Sequence, residues 1–432
     1  MNDNKAYTRR QFLHAGMAVV STATTVPGFL ATSGNLLAAE HAAAATSSLP
    51  GVPEDRVLVV IQLSGGNDGL NTLIPYGNDS YYKARPEIAV KKANILTLDD
   101  TAGFGLHPNM AGIHEMIGDG LGAVIPGVGY PNPNRSHFAS MDVWHSGDTR
   151  GGRGLGWIGK ALDEHVTTNK NKQDSTDQAL SCVSIGSAAP PAANGRIVKP
   201  VTFENAELFR WSGRDLHKTL DQTYDQIQRQ TTAGDTSNLD FVFRTSMDAQ
   251  IASDRVRAAV GNKTETQFPR TSLGLQLQSV ASMIRDGLPT RVYYVAMGGF
   301  DTHANQTGRH QQLLRDFSQA TSAFYKDLQV TGNRSRVVTL AFSEFGRRVR
   351  QNASGGTDHG TAGTMFLFGE NNIIAPGLHG QYPSLTDLDD GDLKYNLDFR
   401  RVYADLLRNW MHMNPVASLG SEFETTSLIK QT

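Results

Sequence analysis

The sequence is poor in the features that define several protein classes. A single cysteine, Cys182, rules out an intramolecular disulfide framework, and in the apolar run LSCVSI it is expected to pack as a small hydrophobe. Basic residues are not in excess. The first 45 residues hold Lys5, Arg9 and Arg10 against Asp3 and Glu40, so the remainder carries 37 basic and 40 acidic residues. Phosphate contacts need a Lys and Arg surplus, so nucleic acid is excluded as a partner. The loops GxxxxGK[ST] and GxGxxG are both missing, which leaves nicotinamide and flavin cofactors unsupported. There are no internal repeats and no heptads. A membrane anchor needs ~20 strongly apolar residues. The Ala-rich stretch 15–39 is interrupted by Ser21, Thr22, Thr24, Thr25, Pro27 and Ser33, so no stable anchor is expected.

What is present begins with Thr8-Arg9-Arg10-Gln11-Phe12-Leu13, which resembles a twin-arginine export signal and is followed by short A-x-A-like sites. Residues 1–45 are therefore read as a signal peptide and linker. The twin-arginine machinery is the expected export partner, and the mature protein is expected to be periplasmic or secreted. That route carries folded proteins, which suits a chain that takes up a metal before export. Residues 46–432 are read as one domain, long enough to bury a sizeable core, with a helical insertion at about 200–265.

Short continuous runs rich in Val and Ile alternate with amphipathic segments. RVLVVIQL (56–63), LGAVIPGVGY (121–130), ALSCVSIG (179–186), RVYYVAM (291–297), VVTLAF (337–342) and TMFLFG (364–369) predict buried strands. Residues 106–120, 272–286, 311–328 and 398–411 carry helical spacing, with Gly118 or Gly120 and Gly287 placed to stop two of them. Strands alternating with helices predict an α/β fold around a mainly parallel sheet.

Chemistry gathers where these strands end. The first breaks at Ser64-Gly65-Gly66-Asn67-Asp68, the fourth at GGFDTH with Asp301 and His303, and the fifth at Ser343-Glu344 before a Gly-rich loop that delivers Asp358 and His359. Ser136 follows the second strand at a predicted helix N-terminus, where a hydroxyl faces unsatisfied amides; it either caps the helix or meets an anion as a nucleophile. Carboxyl ends of parallel strands line one crevice, so these residues can meet. Mixed carboxylate and imidazole ligands suit zinc, manganese or iron and not calcium, and one or two such ions are expected.

Together, LSGGNDGLNT, GVGYPNPNRSHFASMDVW, GGFDTHANQ, SEFGRRVRQN and GTDHGTAG resemble the DUF1501 family of exported bacterial proteins, which is related in fold to the alkaline phosphatase and sulfatase superfamily. The resemblance spans about residues 55–411 and implies an alkaline-phosphatase-like three-layer α/β/α sandwich. It further implies Asp68 as a metal-binding aspartate after the first strand, Ser136 as nucleophile, Asp301 and His303 on one metal, and His359, with Asp358, as the late histidine. Glu344-Phe345 stands where the superfamily places adjacent Asp and His, with Asn67 and His137 as substitute ligands. The activity expected is hydrolysis of a small anionic phosphate or sulfate ester, with Arg135 orienting the anion. The alternative is a non-catalytic exported binding or assembly protein acting on cell-surface material.

Overall fold

A computed structural model describes residues 55–99, 101–150, 154–168, 180–209, 251–262 and 264–430. The export signal and the 210–250 part of the predicted insertion lie outside the described residues. Among the described residues the central sheet has nine strands: β1 (Val57–Leu63), β2 (Gly122–Gly129), β3 (Cys182–Ile185), β4 (Val201–Phe203), β5 (Val292–Met297), β6 (Val337–Phe342), β7 (Gly363–Phe368), β8 (Gly377–Leu378) and β9 (Leu397–Asp398). Their order is β8-β2-β7-β6-β1-β5-β3-β4, with β9 also paired to β2. Every pairing is parallel except those of β7, which runs against β2 and β6.

The strand runs lack polar alternation because both faces of the sheet are covered. Successive residues of β1 enter opposite cores. Val57, Val59, Ile61 and Leu63 pack with α1 (Ala111–Gly118), a helix over 251–261, α4 (Ser272–Arg285) and α5 (Gln306–Val330). Leu58 and Val60 pack with α2 (His137–Ser146), α3 (Trp157–Thr168) and α6 (Phe399–Asp405). The result is a three-layer α/β/α sandwich with a mainly parallel sheet. Cys182 is fully buried in the second core, as its apolar neighbours predict.

Local physics shifts several predicted boundaries. The 106–120 segment is not one helix: Leu106 closes a short strand, and His107 is extended because Pro108 disfavours helical backbone in the residue before it. A 3-10 turn, Pro108–Met110, then leads into α1. Helix α5 starts at Gln306, about two turns before its apolar stripe, since those opening turns bury the polar Gln306 and His310. A small sheet of Leu73–Ile74, Phe104–Leu106 and Leu96–Asp99 and the edge strand β4 have no counterpart among the predicted strands, being too short to show a periodicity.

Register decides where the site lies. Leu63 of β1 stands beside Met297 of β5, and Gln62 beside Phe342 of β6. Three neighbouring parallel strands therefore end level, and their following loops leave the same edge of the sheet.

Candidate metal and ester site

The loop after β1 turns back through Gly65 and Gly66, with φ of 118° and 76°. A Cβ on Gly65 would lie 2.4 Å from the Asp301 backbone nitrogen, so only glycine lets the β1 and β5 loops touch. The loop after β6 is bound to both. Ser343 Oγ donates to the Leu63 carbonyl and accepts from the Asn67 amide, and Glu344 Oε1 accepts from the Gly65 amide at 2.8 Å. His137, the first residue of α2, and the 358–359 loop close the site from the other side of β6.

Three imidazoles meet here, and each is held through Nδ1. His137 Nδ1 lies 2.9 Å from Glu344 Oε1, His303 Nδ1 3.1 Å from Asp358 Oδ1, and His359 Nδ1 2.8 Å from the Arg135 carbonyl oxygen. Those acceptors assign the ring proton to Nδ1, leaving the Nε2 lone pairs inward. The inward atoms converge on one carboxylate. Asp301 Oδ1 is 2.9 Å from His303 Nε2 and 3.0 Å from His359 Nε2, and Oδ2 is 3.5 Å from His137 Nε2.

This arrangement fits a cation. The Nε2 atoms of His303 and His359 face each other at 3.0 Å, and two lone pairs at that distance repel unless a positive charge lies between or beside them. His137 Nε2 is buried and has no hydrogen-bond partner. Ligand atoms of His137, Asp301 and His359 all lie within 4.8 Å of one another. Imidazoles anchored through Nδ1 on carboxylate or carbonyl oxygens are how metal-binding histidines are oriented. A divalent ion is thus the group these side chains could hold. Partial burial works against the charge of Asp301, but the hydrogen bond and positive charge of Arg347 hold the carboxyl well below the usual range, so it is an anion. Hydrogen bonds from Asn352 and His303 keep Asp358 low as well.

The remaining predicted residues divide. Glu344 and Asp358 are present at the site, each behind a histidine. Asp68 and Asn67 belong to a buried polar cluster beside it. Arg85 Nη1 lies 2.6 Å from Asp68 Oδ2, which also accepts from Gln306, while Asn67 Oδ1 meets His310 Nε2 at 3.0 Å. Ser136 occupies the N-cap position of α2 with extended backbone and is exposed, yet its side chain makes no capping bond. The fork of Arg135 is turned onto Asp390 and Asp392, at 2.9 and 2.7 Å, while its carbonyl serves His359.

Two residues at the centre carry no assignment in the sequence. Arg347, 1 % exposed, reaches the carbonyl oxygens of Gly65, Gly66, Phe300 and Thr357 and Asp301 Oδ1, and so ties together the loops of three strands. Phe345 lies against the rings of His137 and His359, with centroids 4.9 and 4.8 Å apart. Both lie in the charge-rich motif SEFGRRVRQN, but nothing in its spacing marks which arginine goes inside. Beside the cluster opens a cavity of about 580 Å³ whose walls include Ser64, His137, Phe138, Met141, Asp301 and Glu344.

The family described as protein of unknown function, DUF1501, matches residues 55–392. No protein of curated function matches the chain. Solved structures with similarity include a lipoteichoic acid synthase from Listeria monocytogenes, at 7 % identity and TM-score 0.32, covering 75 % of this chain and 67 % of that one. The C-terminal periplasmic domain of EcEptC from Escherichia coli, solved with zinc, matches at 10 % identity and TM-score 0.35, covering 85 % and 88 %. A sulfatase from Pseudoalteromonas matches at 10 % identity and TM-score 0.34, covering 77 % and 66 %.

Proposed function

The chain belongs to the DUF1501 family, and from that premise we propose that it is an exported metal-dependent hydrolase of phosphate or sulfate esters. The observation that carries the reading is the convergence of three Nδ1-anchored imidazoles on Asp301, with one inward nitrogen buried and unpartnered. His137, Asp301, His303 and His359 would hold the ion, zinc, manganese or iron by donor type. When bound there, the ion supplies positive charge that offsets the negative charge growing on the ester's oxygens.

The chain's own residues supply the rest. Ser136 sits at the head of the ten-residue helix α2, where free amides and the helix dipole favour an anion. Its Oγ attacks phosphorus or sulfur as it gives up its proton, the ester oxygen leaves with the bonding electrons and takes up that proton through solvent, and water then cleaves the seryl ester, releasing the acid and restoring the hydroxyl. Glu344 fixes the tautomer of His137, and Arg347 fixes the orientation of Asp301. The cavity next to His137 would receive the alcohol part of a small ester.

The test is a metal assay on the purified exported protein followed by a screen of aryl phosphates and sulfates. Turnover that requires bound metal is expected, and Ser136→Ala should reduce it by about a thousandfold or more. An active Ser136→Ala protein would remove serine from its role. A second reading, a non-catalytic binding or assembly factor for cell-surface material, is favoured by the engagement of Arg135 with Asp390 and Asp392 in place of a free anion clamp. Metal uptake without turnover on any ester would select it. Export through the twin-arginine machinery is part of both readings. Among the described residues no helix is long and apolar enough to cross a membrane.

A further inference from the structure

We propose that Arg347 is a built-in cation of the site and that it sets the metal count at one. The inference rests on the metal site proposed above and decides what that reading leaves open, whether the site takes one ion or two. A second ion near Asp301 needs a shell of oxygens. Oxygens of that kind gather here, the carbonyls of Gly65, Gly66, Phe300 and Thr357 with Asp301 Oδ1, and a guanidinium engages all of them. Arg347 Nε lies 2.7 Å from Gly66 O, Nη1 2.9 Å from Thr357 O, and Nη2 3.0 Å from Phe300 O and 2.7 Å from Asp301 Oδ1; Gly65 O also accepts from Nη2. Hard divalent ions prefer shells of this composition, carbonyl oxygens with a carboxylate. A planar guanidinium satisfies the same oxygens while remaining charged at every accessible pH.

The other carboxylate near the β1 loop is matched in the same way. Asp68, buried and expected from the sequence to be a ligand, is paired with Arg85 at 2.6 Å, and Arg85 is itself fully buried. Asp68 is paired with Arg85 and Asp301 with Arg347, whereas Glu344 and Asp358 are paired with the imidazoles of His137 and His303, which leaves two negative charges among these groups. One divalent ion held by the inward imidazole nitrogens and Asp301 balances them. A second would add charge that no side chain offsets, in a region where both arginines are already buried.

Glycines around the arginine make room for it. A Cβ on Gly360 would lie 2.6 Å from the Arg347 carbonyl carbon, and one on Gly66 2.3 Å from the ring of Phe345, two residues before the arginine. Gly360 leaves space for the backbone of Arg347, which forms an isolated bridge with His359, and Gly66 leaves space for Phe345 beside it. Arg347 therefore acts on the metal through Asp301 and is a positioning residue.

The experiment counts ions by native mass spectrometry as zinc or manganese is titrated into metal-stripped, full-length mature protein. One tight equivalent is expected for the wild type and for Arg347→Lys, which keeps the charge. Arg347→Ala exposes the oxygen shell, and the count should rise from one to two in folded protein. Two equivalents in the wild type, or a single equivalent at unchanged affinity in folded Arg347→Ala, would overturn the proposal. If the alanine variant does not fold, the wild-type and lysine counts decide alone. No binding at all would instead overturn the metal reading itself, so the two failures are told apart.

Discussion

Asp301 shows how much of the site depends on single atoms. Its Oδ1 meets two imidazole nitrogens and a guanidinium within 3.0 Å, so moving any one of them changes what the carboxylate can bind. The least obvious of the supporting residues is Glu344. Its place at a strand end predicts a ligand. In the structure it is 2 % exposed and accepts from both His137 Nδ1 and the Gly65 amide. A carboxylate behind a ligating imidazole raises its basicity and fixes its tautomer. Glu344→Gln keeps the shape and loses the charge, so metal affinity should fall by about 10- to 100-fold with little loss of fold. Competition against a chromophoric chelator measures this, and an unchanged affinity would mean that Glu344 only pins the loop.

At the scale of elements, the site exists because β1, β5 and β6 end level and their loops pack without side chains between them. Gly65 is the tightest of these contacts, with φ at 118° and Phe300 and Asp301 backbone atoms within 2.9 Å of where a Cβ would stand. Gly65→Ala should destabilise the protein on the order of 1–3 kcal/mol and displace Asp301. Urea unfolding would register the first effect and metal titration the second; wild-type behaviour in both would show that the loop has slack. The strands themselves are legible in the sequence because buried parallel strands are continuous apolar runs, and their ends are legible because Gly, Asp and His stand out against Val and Ile. Asp301, His303, Asp358 and His359 are found that way. His137 is harder to rank, since one imidazole in RSHF has no pattern, and its importance comes from Glu344, 207 residues away. The pairing of Asp68 with Arg85 is hidden for the converse reason: Arg85 lies in a polar stretch whose charge gives no sign of burial. Sequence spacing shows which groups reach a sheet edge, but partner choice there is made in three dimensions.

The whole molecule carries a further consequence of burying polar groups, which is sensitivity to acid. His107, His145 and His310 are all buried, and desolvation lowers their pKa values to about 3, about 4 and about 4. An unfolded chain protonates histidine near 6.5. Between pH 6.5 and about 4 the unfolded state therefore binds protons that the native state refuses, and stability must rise with pH across that window and fall as pH drops through it. Above pH 6.5 the three groups are neutral in both states and contribute no slope. Each contributes at most about 1.4 kcal/mol per pH unit inside the window. Below it the depressed carboxyls of Asp301 and Asp358 continue the loss in the same direction. The urea midpoint of metal-stripped protein should thus be level from pH 8 to 7 and decline steeply from pH 6.5 to 4. His145→Gln separates this from a general effect of charge. His145 meets Gln62 Oε1 and Tyr294 Oη at 3.0 and 3.2 Å, contacts an amide can replace, so the variant should fold and lose one proton's share of the slope. A profile equally steep in the variant would assign the acid sensitivity to other groups.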